Sequence, residues 1–362
     1  MNTYVNFAKV LVTSLVMAAS FCTAPSDTSL LTVKGRTDMV EGKYIGLISP
    51  AASVTFSVKG SSFTLLLSNQ DTYKHHNYVV IEVDGKFFSR NKIAADDTTL
   101  KVTVPEGNHT VSVYKATEAS IGTIVIKEVQ GNITKARQVV KKKIEFVGDS
   151  ITCGMGNDDK EIPCGQGEWY DQHNAYYSYA SITARALNAD YVLNSVSGIG
   201  MYRNWNDEHD KEVIMPQAYG NLYLNSGVDN TKKYTPAFVA DVTCIALGTN
   251  DFSKGDGTKP RLPFNEDAYV NNYVAFVKML YKHAPKTQVV LTNSPMVNMP
   301  ESAVFTKCLN RIKELLNKEK GHKAVMVFTY GNVTPTGCGY HPAIKEDEQM
   351  AAQLTPFLKK LL

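Results

Sequence analysis

The hydrophobic period of this chain changes near residue 140, and that change limits the fold more than any other feature of the sequence. Before it, apolar and polar residues alternate with a period of two, as in residues 53–58 and 109–114, and turn-forming residues such as Asp84-Gly85 separate the segments. Strands with one face on a core and the other face in solvent show this alternation. The pattern therefore predicts an antiparallel β-sandwich of jelly-roll type over residues 28–137.

After residue 143, short apolar runs alternate with longer segments of helical period. Residues 144–147 and 242–247 are typical of buried strands, whereas apolar residues recur at helical spacing through residues 269–281. Strands that alternate with helices form a parallel sheet that is covered on both faces. Residues 143–362 are thus predicted to form a three-layer α/β domain, which makes the protein a two-domain molecule.

The first 25 residues fit neither pattern. Lys9 precedes an apolar run of about 12 residues, which is too short to cross a bilayer but has the length of a signal-peptide core, and small residues at 18–20 offer a cleavage site. Residues 1–25 are therefore predicted to be a signal peptide of an exported protein, periplasmic or extracellular. A second interpretation is that Cys22 carries a lipid that tethers the protein to the cell surface. No later segment is long and apolar enough to predict a membrane span.

The charge balance and the cysteines exclude several classes of function. The chain has 38 Lys and Arg against 35 Asp and Glu, a net charge of +3, so no nucleic-acid partner is expected. The six cysteines include no Cys-x-x-Cys pair and no zinc spacing, so no metal is expected. Cys244 lies in an apolar run and is predicted to be a buried thiol. Cys153 and Cys164 bracket a short polar loop and are candidates for a disulfide.

Four short motifs follow predicted strands of the second domain, which is where the active groups of parallel α/β sheets lie. They are Gly148-Asp149-Ser150, Gly198, Asn250 within a Gly-Thr-Asn-Asp sequence, and His341. This set suits acyl transfer, because a serine hydroxyl is a weak nucleophile until a base such as histidine takes its proton. The oxyanion that then forms needs preorganised donors. The backbone N–H groups of Gly198 and Ser150 and the Asn250 amide are candidates.

These motifs resemble the four blocks of SGNH (GDSL-type) hydrolases. Four longer stretches, residues 114–119, 146–154, 178–187 and 197–200, resemble carbohydrate esterase family 2, in which a β-sandwich precedes an SGNH domain. The resemblance covers about residues 30–362. It implies removal of O-acetyl groups from plant polysaccharides such as xylan and glucomannan, or from their oligosaccharides, with a preference for the primary 6-position.

The resemblance also implies a role for each motif residue. Ser150 is the nucleophile, His341 is the general base, and Gly198 and Asn250 form the oxyanion hole together with the Ser150 N–H. Asp149 is structural, and Ser–His hydrolysis needs no cofactor. Outside the motifs, Trp169 and Trp205 lie in predicted loops. They are candidates for substrate binding by stacking on a sugar, and the alternative is that they pack within the protein.

One position departs from the family pattern. Most SGNH hydrolases carry an aspartate three residues before the histidine, where this chain has Cys338, and many members of carbohydrate esterase family 2 carry one two residues before it, where this chain has Gly339. The residue that usually orients the base is therefore missing from both places. We predict a Ser–His dyad in which a backbone carbonyl accepts the second ring N–H of His341. The rival prediction is a triad that a distant Asp or Glu completes.

Two other functions compete with acetyl removal from sugars. A lipase or acylthioesterase of the same fold needs an apolar acyl groove, whereas the loops at 155–177 and 201–235 are polar and rich in tyrosine. A carbohydrate-binding protein with a degenerate esterase domain accounts for the missing aspartate. The presence of Ser150, Asn250 and His341 together favours an enzyme.

Overall fold

The computed structural model describes residues 28–94, 97–209, 211–229 and 231–362. The predicted signal peptide and Cys22 lie outside the described residues. Among the residues that are described, no helix is long and apolar enough to cross a membrane.

The first domain is an antiparallel sheet that curls around its own core. Its strands are β1 (Thr32–Lys34), β2 (Thr37–Val40), β3 (Tyr44–Leu47), β4 (Ser53–Gln70), β5 (Asn77–Val83), β6 (Lys86–Ile93), β7 (Thr98–Lys115), β8 (Thr123–Gln130) and β9 (Ile133–Thr134). Hydrogen bonds join them in the order β2-β3-β8-β4-β7-β5-β6, and β1 and β9 also pair with β4. The predicted antiparallel domain is confirmed. It differs from a sandwich of two separate sheets in that the strands form one continuous curled sheet.

Two 18-residue strands, β4 and β7, run through both layers. The first half of β4 pairs with β1 and β9 and its second half with β8, and the register with β7 shifts between Gly60 and Ser62. This bulge changes which residues face inward, because Phe56 and Val58 are buried before it and Phe63 and Leu65 after it. One core cluster therefore takes side chains from both halves of the same strand.

The second domain is built on a parallel sheet, as the sequence predicts. Its strands are β10 (Lys143–Gly148), β11 (Asp190–Ser195), β12 (Val242–Ala246), β13 (Gln288–Thr292) and β14 (Met326–Phe328). Their order is β11-β10-β12-β13-β14, and every pair is parallel. The helices are α1 (Ser150–Cys153), α2 (Tyr179–Ala186), α3 (Met215–Ala218), α4 (Thr249–Phe252), α5 (Glu266–His283), α6 (Glu301–Asn317) and α7 (Ile344–Lys359).

Alternate residues of the central strands enter different cores, which explains the three layers. Val147 and Ile245 pack in the cluster that contains α5 and α6, whereas Phe146 and Cys244 pack in the cluster that contains α2 and α7. Strands that are buried on both faces have continuous runs of apolar residues in their sequences. The burial of Cys244 agrees with the prediction for that thiol.

The two domains are joined by buried polar contacts. Arg36, in the turn between β1 and β2, is fully buried, and its Nε donates to Asn194 Oδ1 of the second domain at 2.6 Å. From the other side, Tyr176 donates its hydroxyl to Glu82 of β5 at 2.9 Å. Because buried polar groups need their partners, these contacts fix how the first domain sits beside the strand ends of the second.

Candidate active site

Ser150 lies at the point where β10 passes into α1. The strand ends at Gly148, and Asp149 caps the helix by accepting a hydrogen bond from the Ile151 N–H at 3.1 Å. A Cβ at Gly148 would collide with the Thr152 side chain, so the turn requires glycine. This geometry agrees with a structural role for Asp149, whose buried carboxyl has a pKa raised by desolvation to about 6.

His341 is brought to Ser150 from the far end of the chain. Its Nε2 lies 2.7 Å from the Ser150 Oγ, and both side chains are buried, with 8% and 4% of their surfaces exposed. At this distance a proton can pass between the hydroxyl and the imidazole nitrogen, as the predicted roles of nucleophile and base require.

The second ring nitrogen of His341 faces a backbone carbonyl. Its Nδ1 lies 2.8 Å from the Gly339 oxygen, which fixes the proton on Nδ1 and leaves Nε2 free to accept from Ser150. Among the described residues, no ion pair includes His341. Burial lowers the pKa of His341 to about 4, against the smaller opposing effect of its hydrogen bond to Gly339. The imidazole is therefore neutral at pH 7, which is the form that acts as a base.

The candidate oxyanion donors follow three neighbouring strands. Ser150 comes after β10, Gly198 after β11 and Asn250 after β12, and β10 is the middle strand of the three. Gly198 has a φ of 76°, in the left-handed region that favours glycine. The Asn250 amide donates one hydrogen to the Ile199 carbonyl at 2.8 Å, which ties it to the Gly198 loop and leaves its second hydrogen for an oxyanion. Their roles as donors stay predictions.

Two buried carboxylates hold the loop that carries Gly198. Asp251 accepts from the backbone N–H groups of Met201 and Tyr202, at 2.9 and 2.8 Å. Glu118, which belongs to the first domain, accepts from the Ser197 N–H at 2.6 Å. The first domain therefore helps to shape the site, a contribution that our sequence analysis missed, although Glu118 lies within the stretch 114–119 that carried part of the resemblance.

His173 is a second residue that the sequence did not single out. It is fully buried, and its Nε2 lies 3.8 Å from the Glu118 carboxylate. It is close enough to His341 that its charge, when present, lowers the pKa of that base. Burial lowers the pKa of His173 itself, so both histidines are neutral near pH 7. A histidine in a polar stretch gives no sequence signal that separates this position from the surface.

Trp169 and Trp205 lie at the rim of the site. About half of each side chain is exposed, 49% and 47%. The Trp169 ring packs edge-on against the His173 ring, with ring centroids 5.1 Å apart, and the backbone N–H of Trp205 donates to the Gly198 carbonyl at 2.8 Å. Their exposed faces are available to a sugar, while the predicted stacking itself stays a prediction.

The cysteines pair differently from the expectation. Cys164 is bonded to Cys338, so the suggested Cys153–Cys164 bridge is wrong. Cys153 belongs to α1 and is a buried free thiol, 3.2 Å from the Ser195 hydroxyl. Pairing depends on spatial proximity, and separation in the sequence does not reveal it.

No group of three metal-ligating side chains converges anywhere in the part of the chain that is described. A buried serine hydroxyl in contact with a neutral histidine, at the carboxyl edge of a parallel sheet, is the arrangement found in serine hydrolases of carboxylic esters.

The comparisons with known proteins agree with this class. The chain belongs to the GDSL-like lipase/acylhydrolase family, whose model matches residues 146–349, and residues 33–139 match the carbohydrate esterase 2 N-terminal model. The family resemblance drawn from the motifs is thereby confirmed.

Individual relatives are similar over different shares of the chain. Two proteins of Cellvibrio japonicus (strain Ueda107) are each named acetylxylan esterase / glucomannan deacetylase. One is 32% identical over 225 residues, 61% of this chain and 59% of the relative, and the other is 25% identical over 358 residues, 97% of this chain and 94% of the relative. The chain thus spans somewhat more than half of the first relative. A family two carbohydrate esterase from Clostridium thermocellum, solved with cellohexaose, has a TM-score of 0.79 at 25% identity and covers 91% of this chain and 98% of its own.

Proposed function

We propose that this protein is an exported esterase that removes O-acetyl groups from xylan, glucomannan or their oligosaccharides, preferring the primary 6-position, through a Ser150–His341 dyad. The observation that carries the proposal is the contact of His341 Nε2 with the Ser150 hydroxyl while Nδ1 faces the Gly339 carbonyl. The names of the two Cellvibrio relatives and the two exposed tryptophans at the rim support a sugar ester as substrate.

In the acylation step, His341 Nε2 takes the hydroxyl proton as the Ser150 Oγ attacks the acetyl carbonyl carbon. The carbonyl oxygen becomes negatively charged, and the N–H groups of Ser150, Gly198 and Asn250 stabilise it. When the tetrahedral intermediate collapses, the bond to the sugar oxygen breaks, and the proton on His341 passes to that oxygen. The sugar leaves with a free hydroxyl, and the acetyl group stays on Ser150.

Deacylation repeats these events with water. His341 takes a proton from a water molecule whose oxygen attacks the acetyl carbon, and it then returns that proton to the Ser150 Oγ as acetic acid leaves. The acid then loses its own proton to solvent and becomes acetate. In this dyad the Gly339 carbonyl orients the imidazole but adds no full negative charge beside the imidazolium. Much of the rate enhancement then comes from positioning and from the oxyanion donors.

The experiment that tests the substrate follows acetyl methyl signals by NMR during digestion of acetylated xylan and acetylated glucomannan. We expect acetate release from at least one polymer, with the 6-O-acetyl signals disappearing first. Rates on 4-nitrophenyl acetate and 4-nitrophenyl octanoate are measured in parallel. Faster hydrolysis of the octanoate without acetate release from either polymer would instead identify a lipase.

Export is the part of the proposal that concerns the cell. The Cys164–Cys338 disulfide supports it, because such bonds persist in oxidising compartments. Mass spectrometry of the protein from its native host should find a mature chain that begins between residues 21 and 25. A lipid on Cys22 would identify the tethered form, and an intact Met1 would contradict export by this segment.

A further inference from the structure

The turn that carries His341 is covalently tied to a distant loop. Cys338, three residues before His341, is disulfide-bonded to Cys164, 174 residues earlier in the chain. Cys338 stands at the position where most SGNH hydrolases carry an aspartate. One end of the disulfide is therefore the residue position whose side chain normally orients the base.

The turn itself has a backbone conformation that needs support. Gly339 and Tyr340 both lie in the left-handed region, with φ values of 62° and 64°. For tyrosine this conformation costs about 1–2 kcal/mol, and its side chain is 88% exposed, so packing does not compensate. Yet these residues place the Gly339 carbonyl 2.8 Å from His341 Nδ1.

Backbone hydrogen bonds hold one side of the turn. The Cys338 N–H donates to the Gly156 carbonyl, and the Gly337 N–H donates to the His341 carbonyl, each at 2.8 Å. A Cβ at Gly156 would collide with the Cys338 carbonyl, so the two segments are in close backbone contact.

The disulfide holds the other side, through a loop that the first domain anchors. The Arg90 guanidinium of β6 donates to the carbonyls of Asp171 and His173, at 2.6 and 3.0 Å. The Tyr78 hydroxyl donates to the Asp171 carboxylate at 2.9 Å. Cys164 precedes these residues in the same loop, so the bond connects the His341 turn to a segment that is fixed on two strands of the sheet.

We propose that the Cys164–Cys338 disulfide is a positioning element for the base: it keeps the Gly339 carbonyl against His341 Nδ1, the task that an aspartate carries out in a triad. The inference rests on the dyad proposed above. Without the bond, only the backbone hydrogen bonds of Gly337 and Cys338 hold the exposed turn. The turn can then leave its left-handed conformation, and the imidazole loses the acceptor that sets its tautomer and ring orientation. Loss of base orientation slows chemistry without weakening substrate binding, so kcat and not KM should carry the effect.

Cys164→Ser tests this proposal with the sequence of the turn unchanged. We expect kcat for 4-nitrophenyl acetate to fall about 10-fold or more, with KM changed by less than about two-fold. In protein with ¹⁵N-labelled histidine, the low-field proton signal of His341 Nδ1–H should broaden or disappear. Gln172→Ala is the matched control, because its amide donates to the Gln166 carbonyl at 2.8 Å within the same loop and the variant keeps the disulfide. We expect its kcat and its proton signal to stay as in the wild type.

A second arm does not depend on folding of the variant. Folded wild-type protein is reduced with dithiothreitol and blocked with iodoacetamide, and circular dichroism verifies that it remains folded. The other cysteines of the described residues, Cys153, Cys244 and Cys308, are buried, so the alkylation reports on the disulfide. The same loss of kcat is expected, reoxidation before blocking should restore activity, and Cys164→Ser should not respond to the reductant.

Three results would overturn the inference: an unchanged kcat after loss of the bond, an effect confined to KM, or an equal loss of kcat in Gln172→Ala. If untreated wild-type protein hydrolyses no ester, the proposed function fails instead. The proton signal of His341 needs no turnover, so it tests the positioning role in that case as well.

Discussion

At the scale of single residues, His341 is largely shielded from water, and both of its ring nitrogens form hydrogen bonds. Burial makes its charged form unfavourable and lowers its pKa to about 4, from an ordinary value of 6.5. Between these two values the unfolded chain binds a proton that the folded protein does not. The contribution of His341 to stability is therefore complete above pH 6.5 and decreases as the pH falls towards 4.

The same shift predicts the acid limit of the proposed catalysis. Because the base works only when it is neutral, kcat/KM for 4-nitrophenyl acetate should stay high well below pH 6.5 and fall with an apparent pKa of about 4. A pH profile of the wild type measures this. Asp149→Asn serves as the control, because burial raises the pKa of that carboxyl to about 6 and its ionisation must be separated from that of His341. An acid limb at 6.5 in both proteins would contradict the account of the base.

Asn250 should act on the transition state and not on bound substrate. Asn250→Ala removes one oxyanion donor, so we expect kcat to fall by ~10²–10³ with little change in KM. Its amide also holds the Ile199 carbonyl, and Asn272→Ala controls for that second role because the Asn272 amide donates to the Met201 carbonyl of the same loop at 3.2 Å. Equal losses in the two variants, or a change in KM alone, would argue against an oxyanion role.

At the scale of elements, the strands were predictable where burial alone decides their pattern. The apolar runs at 144–147 and 242–247 become β10 and β12, and the alternation in 53–58 and 109–114 becomes parts of β4 and β7. The sequence did not indicate that β4 continues past Gly60 into a second layer, because the bulge there interrupts the alternation. The local alternation of apolar and polar residues indicates which residues are buried. Whether one strand belongs to two layers depends instead on its pairing with segments far away in the sequence.

The candidate site shows the same limit. Ser150, Gly198, Asn250 and His341 were accessible to sequence analysis because each motif follows a strand end. Glu118, His173 and the Cys164–Cys338 bond were not, since each depends on contacts between segments far apart in the sequence. The sequence predicted that a backbone carbonyl accepts from His341, but it did not identify Gly339, because any carbonyl near the ring could accept this hydrogen bond.

Glu118, which follows β7 in the first domain, contacts the loop that carries Gly198 in the second. Glu118→Ala would leave the Ser197 N–H without its acceptor beside Gly198, so we expect kcat to fall about 10- to 100-fold. Glu118→Gln keeps an oxygen that accepts from this N–H, and it should retain clearly more activity than Glu118→Ala. Kinetics of the two variants, with thermal melts to verify folding, make the comparison. Wild-type kcat in Glu118→Ala would show that the loop does not need this support.

At the scale of the whole molecule, a buried arginine of the first domain holds the two domains together. The Arg36 guanidinium donates to the Asn221 and Tyr219 carbonyls, at 2.5 and 2.9 Å, and lies over the Tyr234 ring, 3.6 Å from its centroid. Glu145 of β10 lowers the cost of burying this cation by its opposite charge. Because the first domain inserts its arginine into the second, we expect the domains to unfold together.

Arg36→Ala should lower the free energy of unfolding by about 3–5 kcal/mol, since three oxygen acceptors lose their donor and the buried Glu145 carboxyl loses a nearby positive charge. Urea denaturation followed by fluorescence and by circular dichroism measures the effect, and the two probes should give one coincident transition in the wild type. Arg137→Ala, at an exposed position, should change stability by no more than about 0.5 kcal/mol. Two separate transitions in the wild type would show that the domains are independent.

The proposed mechanism depends most directly on Ser150 as the nucleophile. Kinetics of 4-nitrophenyl acetate hydrolysis by Ser150→Ala, beside the wild type and Ser181→Ala, a buried serine of α2, test this claim. We predict that Ser150→Ala loses at least about 10³-fold in kcat/KM with an unchanged melting temperature, while Ser181→Ala keeps wild-type activity. Retention of more than about a tenth of wild-type kcat/KM by purified, folded Ser150→Ala would contradict the assignment of the nucleophile, and with it the proposed mechanism.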